Sequence, residues 1–226
     1  MRSAAPTAAE YFCVSCRTPF LTPHPLDSEG RCALCRHGLT GFDAAYSFGS
    51  YEGTLRELIH LFKYGGVYTL AKPLAGLMRA SFPDSPHFDA IVPMPMHWLR
   101  RWRRGFNQAG LLAREISRRT AIPVLQPVRR RKATLPQAGL SNARRRSNMA
   151  GAFKVDRPGL VRDKKLLLID DVFTTGATAS ACGAALKRAG AGYVAVLTLA
   201  RTDRRAFVEP RVSAEGIQQF ALGAAK

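Results

Sequence analysis

Two aspartates and a run of threonines in the second half of the chain have the chemistry to hold a phosphate group beside a sugar. Four aliphatic residues from Leu166 to Ile169 predict a buried strand, and two carboxylates follow directly. The small-residue loop after them opens a helix, so its backbone N–H groups and hydroxyls can bind a phosphate, while a glycine permits close approach. The carboxylates suit sugar hydroxyls, or a Mg²⁺ ion held through water. The predicted site comprises Asp170, Asp171, Thr174, Thr175, Gly176, Ala177 and Thr178.

This loop is distinct from the common nucleotide-binding loop of similar layout. A Walker A nucleotide site is excluded because no Gly-Lys-Ser or Gly-Lys-Thr follows. An ordinary strand–turn–helix with two solvated aspartates is the remaining alternative. The segment from Leu166 to Thr178 resembles the loop of type I phosphoribosyltransferases that binds phosphoribosyl pyrophosphate (PRPP), with Phe173 replacing the aliphatic residue usual there.

Four of the five cysteines form two CxxC pairs separated by fifteen residues. Two such pairs offer four thiolates to one tetrahedral zinc ion, which is a structural site. Disulfides are the alternative, and reducing cytosolic conditions disfavour them. The segment around the pairs is too short to have its own core, so the metal must supply most of its folding free energy. The predicted ligands are Cys13, Cys16, Cys32 and Cys35.

The net charge of +18 is concentrated in one part of the chain. Between His97 and Arg146 there are fourteen Lys and Arg residues and one acid, Glu115. A field of this sign attracts anions, either nucleic acid or small molecules that carry pyrophosphate. A solvated basic surface in an arginine-rich proteome is the alternative.

Alternating strand and helix patterns predict an α/β fold with a parallel sheet. In such sheets ligands bind at the carboxyl ends of the strands, which places Asp170, Asp171 and Pro93 at one edge. Strands are expected at Tyr46–Phe48, Asp89–Val92, Ile122–Leu125, Leu166–Ile169 and Tyr193–Leu199, and helices at Leu55–Phe62, Leu70–Met78, Asn107–Arg119 and Ala177–Ala189.

We expect the chain to comprise a loose N-terminus (1–10), a zinc ribbon (11–41), a larger α/β domain (42–202) and a mobile tail (203–226). The resemblance of the loop after Ile169 implies that the larger domain is phosphoribosyltransferase-like. The stretch from Gln126 to Gly151 has no convincing periodicity and is long for a passive connection. No run of apolar residues approaches the roughly 18 needed to span a membrane, and no signal peptide is evident. We therefore expect a cytoplasmic protein that is not integral to a membrane.

Further motifs extend the resemblance over most of the chain. The segments Ile91-Val-Pro-Met-Pro-Met-His97 and Arg104-Gly-Phe-Asn-Gln108 are similar to the ComF (ComFC) signature, as is the pattern from Lys132 to Phe153. With the cysteine pairs, the resemblance runs from Cys13 to about Arg201. It implies a type I phosphoribosyltransferase-like parallel sheet with flanking helices behind a small zinc ribbon. It also implies a role in natural transformation, in which DNA enters as a single strand.

The same resemblance implies roles for several residues. In type I phosphoribosyltransferases the turn after an early strand binds pyrophosphate, which matches Pro93 to His97 here, and a mobile basic hood covers the substrate. The hood would be the stretch from Arg131 to Asn148. Arg144 and Arg146 are its expected pyrophosphate contacts, with Mg²⁺ accompanying PRPP. His97 and Lys63 are candidate helpers in stabilising the leaving group, and a packed or solvated role is equally consistent with each.

The basic stretch also suits single-stranded DNA. Arginines can follow the phosphates while aromatic rings stack on bases without reading the sequence. Trp98, Trp102 and Phe106 are candidates for stacking, and core packing is the alternative for each. The predicted DNA-binding set is Arg100, Arg101, Trp102, Arg103 and Arg104.

Three functions follow from these patterns. The first is a ComF-like protein of natural transformation that binds single-stranded DNA and a PRPP-type ligand, possessing a phosphoribosyltransferase site whose acceptor and turnover the sequence does not specify. The second is a metabolic phosphoribosyltransferase acting on a free base, although no segment specifies a base pocket. The third is a non-catalytic adaptor whose zinc ribbon docks other DNA-uptake or DNA-processing proteins.

Overall fold

The computed structural model describes residues 11–16, 19–20, 26–36, 41–97, 102, 105–131 and 151–202. In chain order the strands are β1 (Tyr11–Phe12), β2 (Pro19–Phe20), β3 (Ala44–Ser50), β4 (Ala90–Pro93), β5 (Val128–Arg130), β6 (Phe153–Val155), β7 (Lys165–Phe173) and β8 (Tyr193–Arg201). The α-helices are α1 (Ala33–Arg36), α2 (Gly53–Tyr64), α3 (Ala71–Arg79), α4 (Gln108–Thr120) and α5 (Ala177–Arg188). The predicted loose N-terminus and tail, and most of the predicted hood, lie outside the described residues.

Four parallel strands form the main sheet in the order β3-β8-β7-β4. The central strand β7 is an almost continuous aliphatic run, as expected for a strand covered on both faces. Its side chains alternate between two cores. Leu166 and Leu168 pack with α5 residues on one face, whereas Leu167 and Ile169 pack with α2, α3 and α4 residues on the other. This is the predicted α/β class, with a parallel sheet and flanking helices.

The cysteine-containing segment adjoins the first of these faces. β1 and β2 form a two-stranded antiparallel sheet, and the four ribbon cysteines belong to the same buried cluster as Phe173 and Leu186. The backbone of Gly41, the last residue of the predicted ribbon (11–41), lies so close to α5 that a Cβ on Gly183 would stand 2.2 Å from the Gly41 carbonyl oxygen. The ribbon therefore packs on the helix that follows the predicted phosphate loop.

Two expectations about strands are wrong in detail. Ile122–Leu125 is not a strand. It contributes only a bridge in which the Ile91 N–H donates to Pro123 O at 2.8 Å. Conversely, the aperiodic stretch contains β5, which pairs antiparallel with β6. Only Val128 of its three residues is buried, so β5 is too short and too polar to produce an alternating pattern.

The strand that carries the predicted site is longer than its aliphatic run. β7 continues through both carboxylates to Phe173, because its neighbour β8 extends equally far and pairs with it to Arg201. Asp170 and Asp171 are thus held in a strand, with Asp171 beside Lys63 of α2. Among the described residues, no helix is both long enough and apolar enough to cross a membrane.

Candidate functional site

The four ribbon cysteines converge on one point. All four are buried, and their sulfur atoms lie within 4.8 Å of one another. The Cys13 and Cys35 sulfurs are 3.7 Å apart, and those of Cys16 and Cys32 are 3.5 Å apart. A tetrahedral zinc ion with Zn–S bonds of about 2.3 Å requires sulfur separations of about 3.8 Å. The cluster therefore fits a structural zinc ion, and none of these cysteines forms a disulfide.

The electrostatics of the cluster also favour a cation. The Cys13 sulfur accepts hydrogen bonds from the N–H groups of Cys16 and Cys32 at 3.5 and 3.3 Å. Hydrogen bonds from the thiols of Cys16, Cys32 and Cys35 hold the pKa of Cys13 well below its usual value. The pKa values of Cys32 and Cys35 are raised in turn, chiefly by their hydrogen bonds to Cys13. A divalent cation would allow all four to ionise together.

The predicted phosphate loop lies between β7 and α5. Gly176 is the N-cap of α5 and has a φ of +71°, a conformation that glycine adopts readily and that side chains oppose. The loop is anchored by hydrogen bonds from the Ser180 N–H to Gly176 O and from the Ala177 N–H to Thr175 Oγ1. Thr174, Gly176 and Thr178 line a small cavity beside Asp170, as expected for a phosphate held at a helix N-terminus.

The two aspartates have different environments. The Asp171 carboxylate forms an ion pair with Lys63 Nζ at 3.0 Å, and both side chains are largely buried. Burial raises the pKa of Asp170 to about 7, with the neighbouring Asp171 carboxylate adding to the effect. Burial alone would lower the pKa of Lys63, but the Asp171 and Asp170 carboxylates outweigh it, so this pKa lies above its usual value. Lys63 is therefore a charged group of the site.

An open cleft of about 180 Å³ joins these groups to the turn after β4. The Asn107 side chain donates to Met94 O at 3.1 Å and fixes that turn. Gln108 is 1% exposed, and its Nε2 is 3.5 Å from Lys63 O. Within the described part of the chain its Oε1 has no hydrogen-bond partner, so it can accept a hydrogen bond from a ligand. The cleft is lined by Lys63, Met94, Met96, Asn107, Gln108, Ala109, Arg130, Asp170, Asp171 and Thr178.

The residues expected at the pyrophosphate end are placed differently. Pro93 and His97 are buried, and neither is among the residues that line the cleft; Met94 and Met96 face it instead. Arg144 and Arg146 lie outside the described residues. The assignment of these four to pyrophosphate binding stays a prediction.

Sequence reasoning gave no role to three residues of the cleft: Asn107, Gln108 and Arg130. The first two belong to the motif Arg104-Gly-Phe-Asn-Gln108, and two adjacent amides at the start of an amphipathic helix were the available signal. Arg130 comes from β5, a strand without a recognisable pattern, so nothing in the sequence marked it.

The predicted DNA-binding stretch is only partly described. Trp102 is 79% exposed, which removes the core-packing alternative for this ring. Arg100, Arg101, Arg103 and Arg104 lie outside the described residues, as does Trp98. Phe106 packs against the core and meets Tyr68 edge-on at a centroid distance of 4.5 Å, and Tyr68 is itself half exposed.

Comparisons with known proteins agree with the motifs. The chain is 34% identical over 178 residues to competence protein F of Haemophilus influenzae, covering 75% of this chain and 78% of the relative. It is 32% identical over 180 residues to the DNA utilization protein YhgH of Escherichia coli K12, covering 76% and 78%. It is 28% identical to competence protein ComFC of Streptococcus pneumoniae, covering 67% and 66%. No protein-family model matches the chain.

Among solved structures, glutamine PRPP amidotransferase from B. subtilis, complexed with ADP and GMP, aligns with a TM-score of 0.38 and 18% identity. The alignment covers 68% of this chain and 33% of that one. An overlap this loose carries no argument about the site, which rests on the geometry of β7, its loop and α5.

Proposed function

Because the chain belongs to the competence protein F (ComF) family, we propose that it acts in DNA uptake by binding single-stranded DNA and a PRPP-type ligand in the cytoplasm. Relatives named for competence and for DNA utilization support the role in DNA uptake. The two ligands are inferred from the chemistry of two surfaces of this chain.

The observation that carries the PRPP ligand is the phosphate loop placed directly beside a charged cleft. The N-terminus of α5 and the hydroxyls of Thr174 and Thr178 suit a terminal phosphate. Asp170 and Asp171, both in β7, then lie where ribose hydroxyls would follow. Lys63, paired with Asp171, adds a cation to the cleft, which suits a pyrophosphate group.

Mg²⁺ would accompany this ligand, since it is bound in proteins by carboxylates together with the phosphates of the substrate. Asp170 and Asp171 are the carboxylates of the cleft that would hold it. Bound there, the ion would neutralise charge on the pyrophosphate.

Calorimetric titration with PRPP and Mg²⁺ tests the ligand. Gly176→Val should abolish binding, because the side chain fills the loop and opposes a φ of +71°. Asp171→Ala should weaken binding by removing a ribose or Mg²⁺-water contact.

Gly190→Val is the matched control for Gly176→Val. Gly190 also has a positive φ, of +95°, but it follows the other end of α5. It should lose comparable stability and keep the affinity for PRPP. Equal affinity in wild type, Gly176→Val and Asp171→Ala would place the ligand elsewhere.

The second surface is the basic stretch around Trp102. The highly exposed indole stands between two pairs of arginines in the sequence, which suits single strands that are held by phosphate contacts and base stacking. Binding should show little sequence preference and should fall steeply as salt rises, because counterions are released from the DNA.

Substitutions in this stretch separate charge from stacking. Changing Arg101, Arg103 and Arg104 together to alanine should make the affinity less dependent on salt. The slope of the logarithm of the binding constant against the logarithm of the salt concentration should become shallower by about 0.7 for each lost phosphate contact. Trp102→Ala should cost about 1–3 kcal/mol with little change in slope. The charge-matched control removes Arg162, Lys164 and Lys165, which lie around the amino end of β7, at the opposite edge of the sheet from the cleft. A wild-type affinity and slope in the first triple variant would refute the assignment.

A phosphoribosyltransferase acting on a free base is a second candidate, and the buried Gln108 favours it. Its unpaired Oε1 could accept a hydrogen bond from a base N–H at the wall of the cleft. The test is pyrophosphate release from PRPP across a panel of bases, with Gln108→Leu expected to abolish any turnover found. PRPP binding without release for every base would exclude this candidate.

A further inference from the structure

One buried cation connects the cysteine cluster to the main sheet. Arg201 is the last residue of β8 and is 2% exposed. Its backbone pairs with Phe173 on one side and with Ser50 on the other, so its position is set by the sheet. A buried guanidinium is costly unless polar or anionic groups surround it.

The first contact of this guanidinium is with the ribbon. Arg201 Nη1 donates to Cys16 O at 3.1 Å, and Nη2 lies 3.5 Å from Cys16 Sγ. A zinc ion with four thiolates carries a net charge of −2, and a hydrogen-bonded cation beside one sulfur offsets part of it. Groups in this position orient the ligands and commonly change metal affinity by 10- to 100-fold.

The second contact is with the start of the phosphate loop. The guanidinium carbon lies 4.5 Å from the centroid of the Phe173 ring, and the Thr202 N–H donates to Phe173 O at 3.0 Å. Phe42 meets the same ring edge-on at a centroid distance of 5.9 Å. Phe173 directly precedes Thr174 and lines the small cavity with Gly176 and Thr178. The Phe173 ring therefore packs against Arg201 and Phe42, while the residue itself lines the small cavity of the predicted phosphate loop.

We propose that Arg201 is a positioning residue that couples the two sites, so that metal in the cysteine cluster orders the phosphate loop and favours PRPP binding. With zinc bound, the charge of the cluster holds the guanidinium against Cys16 and thereby holds Phe173 and the loop. The PRPP part of this inference rests on the proposed function. Coupling between two binding sites is reciprocal, so PRPP must strengthen zinc binding by the same factor.

Hydrogen exchange and zinc release test the coupling without requiring activity. Arg201→Met keeps an apolar stem beside Phe173 but removes the charge and the contacts with Cys16. In this variant we expect the zinc affinity, measured from the zinc released to a colorimetric chelator at equilibrium, to fall at least about tenfold. We also expect peptides covering residues 173–178 to exchange faster than in zinc-loaded wild type. In wild type, saturating PRPP should raise the zinc affinity about fivefold or more, so that less zinc is released at equilibrium, and Arg201→Met should abolish that increase.

Arg79→Met is the matched control, because Arg79 also stacks on a phenylalanine, Phe82, at 5.2 Å, and is solvent exposed. It should leave zinc release and loop exchange as in wild type. If Arg201→Met does not fold, Arg201→Lys, which keeps the charge but cannot form both contacts with Cys16, should show the same changes with smaller factors.

The outcomes separate this inference from the proposed function. Wild-type zinc release and loop exchange in the Arg201 variants overturn the coupling, whether or not PRPP binds. If PRPP does not bind wild type while loop exchange still depends on Arg201, the proposed ligand fails and the positioning role stands. If PRPP binds but leaves wild-type zinc release unchanged, the coupling is overturned and the proposed ligand stands.

Discussion

The cysteine cluster and the cleft at the carboxyl edge of the sheet differ in how their buried polar groups are compensated. In the cluster, four ligands of one type are buried at the separations that a single zinc ion requires. In the cleft, groups of opposite charge already neutralise one another, with Lys63 paired to Asp171. The first arrangement suits a bound cation, which would neutralise four thiolates. The second has its charges paired within the protein, so an anionic ligand would have to exchange the pair between Lys63 and Asp171 for contacts of its own.

The largest expected effect is the loss of zinc from the cysteine cluster without unfolding of the domain that contains the cleft. Cys32→Ser removes one of four thiolates, so stoichiometric zinc should be lost and the ribbon loosened while the α/β domain remains folded. Elemental analysis after purification without chelators measures zinc content, and circular dichroism reports the domain. Cys182→Ser is the control, because Cys182 is buried in α5 and is not one of the four clustered thiols, so this variant should keep one zinc per chain. Wild-type protein without stoichiometric zinc would contradict the comparison.

The ion pair between Lys63 and Asp171 in the cleft can be removed by a substitution that keeps the shape of the side chain. Asp171→Asn leaves the largely buried Lys63 without its carboxylate, which should reduce the free energy of unfolding by about 3 kcal/mol. Urea unfolding at neutral pH measures this change. Asp156→Asn breaks an exposed pair with Arg129 and should cost less than about 1 kcal/mol. Equal effects in the two variants would show that the Lys63 pair is no more than a surface contact.

The contact between the ribbon that carries the cluster and the helix α5 that borders the cleft can be tested by adding a single methyl group. Gly183→Ala should favour helix α5 by propensity, yet its Cβ would lie 2.2 Å from Gly41 O. We expect a net loss of about 2 kcal/mol from overpacking, measured by thermal or urea unfolding. Gly159→Ala has open space around its Cβ and should be neutral. A stabilised Gly183→Ala would mean that the ribbon does not pack on α5.

The smallest effect concerns the second carboxylate of the cleft. The pKa of Asp170 is raised to about 7, so the folded state holds this proton more tightly than the unfolded chain. Its contribution to stability is complete below about pH 4 and is lost as the pH rises through 7. Asp170→Asn should remove this decrease of the unfolding free energy with pH and should stabilise the protein at pH 8 by about 1 kcal/mol. The effect is smaller than the pKa difference alone would give, because solvent reaches part of the Asp170 side chain. Unfolding curves from pH 4 to 8 that are parallel for wild type and variant would contradict this.

Much of the architecture was readable because its signals are local. The aliphatic run from Leu166 predicted a buried strand, and the spacing Leu55, Leu58, Ile59, Phe62 predicted α2, since each pattern has the period of its element. The cluster of the two CxxC pairs was also predicted, because a zinc site is recognised from the type and the spacing of its ligands alone. β5 was missed because three residues, one of them buried, contain no period.

The contacts that surround the predicted phosphate loop were not readable in this way. Lys63 was a candidate helper from the resemblance, but its ion pair with Asp171 at 3.0 Å follows only from the packing of the end of α2 beside β7. Gln108 resembles any polar residue at the start of a helix until its burial and its unpaired oxygen are seen. The local sequence around a side chain at the end of a helix or strand does not indicate which distant element that side chain will contact.

The reactive groups of this protein can be read from its sequence: four thiols suited to zinc, two carboxylates beside a small-residue loop, and a dense basic stretch. They follow from residue types and short spacings, which act through local geometry. The pairing of the charges is visible only in the folded chain, as is the contact of Arg201 with both Cys16 and Phe173. Burial and pairing depend on which distant segments pack together, and Cys16 and Arg201, 185 residues apart in the chain, meet only where the ribbon packs beside β8.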